Sequence, residues 1–99
     1  YPLGVIHVTR LLIRFQGVFE DRVQRKDEVL EISSPSLTKV TATLGRIYGR
    51  LFLQAIWVDS GKMRSGVSVL VNGRPMGWEA PLDDGDEILF MTPLGGFHG

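Results

Sequence analysis

Cysteine is absent from the 99 residues, which excludes a disulfide framework, a thiolate metal site and a thiol nucleophile. A surplus of either charge is missing too, since eleven Lys and Arg balance eleven Asp and Glu. Phosphate binding normally draws on a basic excess that releases counterions, so no nucleic acid partner is expected. Histidine is scarce: His7 and His98 stand near opposite ends of the sequence. With no cysteine to join them, neither a structural zinc site nor a histidine-activated nucleophile is expected, and His7 should face outward from an edge of the first strand. No apolar run approaches the length of a membrane-spanning helix, and no charged-then-apolar leader opens the sequence. The expectation is a cytoplasmic protein that engages no membrane, with residues 1–99 forming one domain around a single modest core.

What is present is concentrated at the C-terminal end. Asp84-Gly85 supplies turn chemistry. Glu87 to Met91 carries Ile88, Leu89 and Phe90, a short apolar run that suits a strand buried on both faces or nearly so. Pro93 closes that strand because it offers no ladder donor. Gly95 and Gly96 have no side chain to pack, so residues 93–99 are expected to form a flexible tail. Extended, Pro93 to Gly96 would project roughly 13 Å at about 3.3 Å per residue, enough to enter a partner's cleft.

Upstream, Val5 to Phe15 reads as a first strand, with Leu11-Leu12 interrupting the alternation at a bulge. A charged connection through Asp21 to Asp27 leads to a second strand, Glu28 to Ile32, antiparallel to the first. Ser34-Pro35 is a helix-start signal, and Leu37, Val40, Thr41, Leu44, Ile47 and Tyr48 follow at helical spacing until Gly49. Gly45 costs about 1 kcal/mol against alanine inside that helix, which suggests close packing on the sheet. Leu51 to Val58 fits either a short strand or a continuation of the helix. Asp59 to Gly66 reads as a surface loop whose Lys62, Met63 and Arg64 could frame a contact site. Val67 to Val71 is a β-branched strand with Asn72-Gly73 as its turn.

The ordered set Val67-Ser-Val-Leu-Val-Asn-Gly73 followed by Leu82-Asp-Asp-Gly-Asp-Glu-Ile-Leu-Phe-Met-Thr-Pro-Leu-Gly-Gly96 resembles the C-terminal half of the MoaD/ThiS sulfur-carrier family of ubiquitin-like β-grasp proteins. The last third matches closely, and the remainder matches in its order of elements. The resemblance implies an α+β fold, a mixed sheet of four to five strands packed on one main helix. Its first and last strands should pair in parallel at the sheet centre.

The resemblance also implies a function. In the family, the carboxylate of the second glycine attacks the α-phosphate of ATP inside an E1-like adenylating enzyme. Sulfur then displaces the adenylate and leaves a thiocarboxylate. Gly95 and Gly96 would be the activation terminus, and Phe90, Thr92, Pro93 and Leu94 the partner-binding tail. ATP and Mg would belong to the partner enzyme, with no cofactor stably bound to this chain and no catalysis by it. A larger synthase subunit would receive the sulfur, and the MoaD-like branch, serving molybdopterin biosynthesis, is favoured by Thr92-Pro93.

One departure stands out. Phe97-His98-Gly99 follows Gly96, and an amide there offers no free carboxylate. The extension resembles one that a processing metalloprotease removes. Two other functions remain open: a ubiquitin-like modifier conjugated through Gly96, and a β-grasp module that merely docks into a larger enzyme. Asp84, Asp86 and Glu87 read either as a cation or basic-partner site or as a solvated turn, the latter favoured. Trp57 and Trp78 could anchor a partner, though packing at the core rim is the expected fate of Trp57.

Overall fold

Alternation of apolar and polar residues builds the first strand. In the computed structural model, which describes residues 7–58 and 61–92, β1 (Thr9–Phe15) buries Thr9, Leu11, Ile13 and Phe15 and turns Arg10, Leu12 and Arg14 to the opposite face. The period of two runs unbroken through Leu11-Leu12. Pairing with β2 (Asp27–Ile32) is antiparallel and continuous from Thr9 opposite Ile32 to Arg14 opposite Asp27. The expected bulge is therefore absent, and Leu12 is an apolar residue of the outer face. His7 and Val8, both exposed, precede the strand, while Val5 and Ile6 lie outside the described residues.

The charged connection between these strands holds a short helix that the sequence reading did not anticipate, α1 (Val18–Val23). It buries Phe19 and Val23, one helical turn apart, and ends where Gln24 adopts a left-handed conformation and its N–H bonds the Glu20 carbonyl.

The main helix, α2 (Leu37–Tyr48), starts later than Ser34-Pro35 suggested. Ser36, in an extended conformation, is its cap, and its hydroxyl accepts from the Lys39 N–H at 3.3 Å. Ser34 has φ 47°, which is not the extended geometry of a cap, and the Pro35 carbonyl instead accepts from the Leu82 N–H at 3.0 Å. Leu37, Val40, Thr41 and Leu44 are buried and Tyr48 is half-buried, but Ile47 is 51% exposed, so the apolar stripe is narrower than its spacing suggested.

Gly49, at φ 82°, ends α2 and turns the chain directly into α3 (Arg50–Ile56). The ambiguous stretch from Leu51 is thus a helix in its own right, burying Phe52, Ala55 and Ile56. Gly45 serves this junction and not the sheet: a Cβ there would lie 2.8 Å from the Leu53 side chain, so the missing side chain lets α3 fold back onto α2.

Beyond α3 the polar loop is tied to the helix end. Val58 N–H bonds the Lys62 carbonyl, Arg64 N–H bonds the Ile56 carbonyl, and Met63 pairs with Trp57. Trp57 and Trp78 are half-buried against the core with ring centroids 5.3 Å apart, the rim packing expected for Trp57. They line an apolar groove with Leu53, Ala42, Thr38 and Thr41.

β3 (Ser68–Val71) and β4 (Glu87–Met91) complete a four-stranded sheet of order β2-β1-β4-β3. The central pair, β1 with β4, is parallel from Leu12 opposite Glu87 to Phe15 opposite Phe90, and β3 lies antiparallel to β4. This is the expected central pairing. The single main helix of the sequence reading is joined by α1 and α3, whose buried residues enter the same core.

Four phenylalanines hold these elements together. Phe52 of α3 stands 5.5 Å from Phe90 of β4 and 5.7 Å from Phe19 of α1, with Phe15 of β1 6.2 Å away. Such pairs add to the area they bury. At the edge of the cluster the Tyr48 hydroxyl donates to Glu28 of β2, whose carboxylate also meets Arg25 at 3.3 Å. Burial, followed by the bond to Glu28, pushes the Tyr48 phenol above its ordinary range.

Phe52→Ala should lower stability by about 3–5 kcal/mol, whereas Ile47→Ala should change it by less than about 0.5 kcal/mol, read as urea midpoints and slopes. A raised phenol binds its proton more tightly in the folded state. The Tyr48 contribution should therefore be fully present below the unfolded value of about 10 and fade as pH rises through the folded value. The stability gap between the wild type and Tyr48→Phe should accordingly narrow when urea titrations move from pH 8 to pH 11.

Candidate functional site

The last strand occupies the sheet centre because its neighbours on both sides are fixed by a turn at its start. Asp83 to Asp86 closes with the Asp86 N–H on the Asp83 carbonyl at 3.1 Å. The Asp84 carboxylate accepts from the Arg10 N–H at 2.7 Å, and the Gly85 N–H bonds the Arg10 carbonyl at 2.8 Å, which ties the turn to β1. Asp86 accepts from the Asp83 N–H at 2.8 Å and from the Asn72 amide at 2.9 Å, and the Asn72 carbonyl oxygen accepts from the Glu87 N–H at 3.0 Å. That second set ties the turn to the end of β3. Glu87 meets Arg14 at 3.2 Å, a half-exposed pair worth well under about 1 kcal/mol.

The two aspartates thus act as internal fasteners, which is more than the solvated turn favoured from sequence. Among the described residues no group of three or more His, Cys, Asp or Glu is placed to hold a metal ion.

From that turn β4 sends Ile88 and Phe90 into the core, both fully buried, and Leu89 and Met91 to the outer face. Cross-strand register sets Leu89 beside Leu70 of β3 and Leu12 beside Val29 of β2. Leu12, Leu70, Leu89 and Met91 are half-buried and Val29 is 51% exposed. The outer sheet face therefore carries an apolar seam crossed by the Arg14–Glu87 pair, since Leu12 lies opposite Glu87 and Arg14 opposite Leu89. The sequence reading missed this seam, although the period of two in Thr9–Phe15 and Ser68–Val71 contains it.

Where β4 ends, Thr92 is 4% exposed. Its hydroxyl accepts from the Val18 N–H at 2.9 Å. The Gln16 N–H bonds the Phe90 carbonyl at 2.9 Å, so the chain leaving β4 lies against the start of α1. Phe90 and Thr92, expected among the partner-binding residues, both turn their side chains into their own domain. The reason is positional: inward alternation along β4 places Phe90 among the core phenylalanines, and the next inward position, Thr92, meets α1. Pro93, Leu94, Gly95, Gly96, Phe97, His98 and Gly99 lie outside the described residues. His7, expected on the first strand's edge, is exposed just ahead of β1, where it lines a shallow depression with Ser34, Glu79 and Pro81. No helix among the described residues is long and apolar enough to cross a membrane.

A mixed sheet with a parallel central pair and helices packed on one face is the architecture of a ubiquitin-like β-grasp protein. The ThiS family model matches residues 13–96, and the chain belongs to that family of ubiquitin-like sulfur carriers and modifiers. Its members are small carriers and not themselves catalysts.

Solved structures agree in fold. The HVO 2177 protein of Haloferax volcanii is 26% identical, with a TM-score of 0.71 over 91% of this chain and 88% of that one. Small archaeal modifier protein 1 of the same organism is 13% identical, with a TM-score of 0.76 over 87% of this chain and 99% of that one. A protein assigned as subunit 1 of the molybdopterin converting factor of Pyrococcus furiosus is 16% identical, with a TM-score of 0.70 over 87% and 99%. Among curated proteins, none matches the chain.

Asp86→Ala should cost about 0.5–1.5 kcal/mol, because it removes two exposed bonds, one to Asp83 within the turn and one to Asn72 at the end of β3, while Glu87→Gln should change stability by less than about 0.5 kcal/mol. Thermal melts of the two variants check both values.

Proposed function

We propose that the chain is a sulfur carrier activated at Gly96 once Phe97-His98-Gly99 has been removed. The observation that carries this reading is the extent of the family match, which ends at Gly96 and leaves those three residues beyond it. In the proposed cycle a processing metalloprotease hydrolyses the Gly96–Phe97 peptide bond. An oxygen of the freed carboxylate then attacks the α-phosphorus of ATP, held with Mg in an E1-like adenylating enzyme, and pyrophosphate leaves. Hydrosulfide, HS⁻, then attacks the acyl carbon of the adenylate, AMP leaves, and loss of the thiol proton gives a thiocarboxylate.

This chain's own residues supply delivery. Gly95 and Gly96 lack the Cβ atoms that would obstruct a narrow channel, and Pro93 and Leu94 lie between them and the anchored end of β4. The apolar seam of Leu12, Leu70, Leu89 and Met91 offers a surface for the adenylating enzyme and for a larger synthase subunit, because it adjoins the strand from which the tail departs. The sulfur acceptor proposed is the molybdopterin precursor, a reading supported by the fold shared with the Pyrococcus furiosus protein. Cytoplasmic activity is part of the proposal.

A second reading draws on the Haloferax volcanii neighbour that is named a modifier. The same adenylate, attacked by a lysine amine, would yield an isopeptide conjugate. Simple docking of the tail, without activation, is the least supported alternative.

ATP–pyrophosphate exchange with the E1-like enzyme of the same organism tests activation. A chain ending at Gly96 should support exchange, and both the chain ending at Gly99 and a Gly96→Ala variant should fall by about tenfold or more. Equal exchange by the chain ending at Gly99 would contradict the requirement for processing. Covalent conjugates on a denaturing gel would favour the modifier.

A further inference from the structure

We infer that Thr92 is a positioning residue: its hydroxyl caps α1 from the far end of the chain and fixes the point from which the terminal segment departs. The inference deepens the proposed function and rests on that reading for its functional consequence, but not for its structural one.

The first N–H groups of a helix have no partner within it, and the residue before the first turn usually supplies a side-chain oxygen. Ahead of α1 that residue is Gly17, which has no side chain and makes no cap bond. The oxygen comes from Thr92 instead, 74 positions away in sequence from Val18, at 2.9 Å.

Gly17 is required by the same contact. A Cβ built on it would lie 2.2 Å from the Thr92 hydroxyl oxygen and 3.0 Å from the Thr92 carbonyl oxygen, and its φ of 67° disfavours a side chain in any case. Thr92 is 4% exposed, so water does not readily replace the bond. The neighbouring Gln16 N–H holds the Phe90 carbonyl, so the chain is gripped on both sides of Met91.

The consequence concerns the terminal segment. With Thr92 held, only Pro93, Leu94, Gly95 and Gly96 separate a rigid point of the domain from the reacting carboxylate. Without the hydroxyl, the last held residue is Met91, paired with Ser68 of β3, and the adenylating enzyme must order more chain before reaction.

The test uses the chain ending at Gly96 in three forms: wild type, Thr92→Val, which keeps shape but removes the acceptor, and Thr92→Ser, which keeps the hydroxyl. Thr92→Val should speed amide exchange at Val18 and raise fast backbone motion from Thr92 to Gly96 in nitrogen relaxation. It should also raise KM for activation by about three- to tenfold with kcat little changed. Thr92→Ser should restore all three.

A merely structural threonine would lower the melting temperature without a KM-specific change or altered motion at the chain end, and that result overturns the inference. Failure of Thr92→Ser to rescue overturns it as well. Thr92→Ala, which removes the acceptor and adds no bulk, should reproduce the Thr92→Val pattern and gives the same reading if Thr92→Val loses its fold. If the wild-type chain ending at Gly96 supports no activation, the proposed function fails, while exchange at Val18 and relaxation still decide the anchor.

Discussion

The parallel pairing of β1 with β4 is the contact that the other features depend on, because it joins residues near opposite ends of the sequence in the middle of the sheet. Parallel strands cannot be joined by a hairpin, so the chain between them must cross over one face. That crossing is made by α2 and α3, which carry the chain from β2 at one edge of the sheet to β3 at the other. It explains why β4 places Ile88 and Phe90 in the core while its outer face keeps only half-buried residues. It also explains the fasteners at the strand's start: a central strand joined to the chain by a turn needs its register held from both neighbours. Asp84 holds the β1 side and Asp86, through Asn72, the β3 side.

The parallel pair also brings the end of β4 close to the residues that follow β1. Gln16, Gly17 and Val18 meet Phe90 and Thr92 there. A short helix and a C-terminal strand thereby share one junction. α1 is stabilised by packing Phe19 against Phe52 and Phe90 and by a borrowed cap, since six residues are too few to form a helix alone.

Features of the chain that follow a local rule could be read from the sequence. Ile88-Leu89-Phe90 announces a strand, Asn72-Gly73 a tight turn, and Leu37, Val40, Thr41 and Leu44 a helical stripe, and each stands where its pattern placed it. β4, however, buries only the Ile88 and Phe90 face and leaves Leu89 half-buried, short of the burial on both faces expected. Non-local choices could not be read that way. α1 contributes a single pair at helical spacing, Phe19 and Val23, too little for periodicity to register. Ser34 and Ser36 both satisfy the capping rule, and the bond from Leu82 to the Pro35 carbonyl helps decide between them. Leu12 looks like an interruption until the sheet is known to have an apolar outer face. Thr92 looks like part of a free tail until α1, unseen in the sequence, appears beside it. Gly95 and Gly96 lie outside the described residues, and the role proposed for them rests on order and spacing and not on packing.

If Gly96, and not Gly99, is the working terminus, the intact mass of the protein isolated from its native host should lack Phe97-His98-Gly99. Part of the population should also be heavier by about 16 Da, as sulfur replaces one carboxylate oxygen. A chain that ends at Gly99 under every growth condition would contradict the proposed processing.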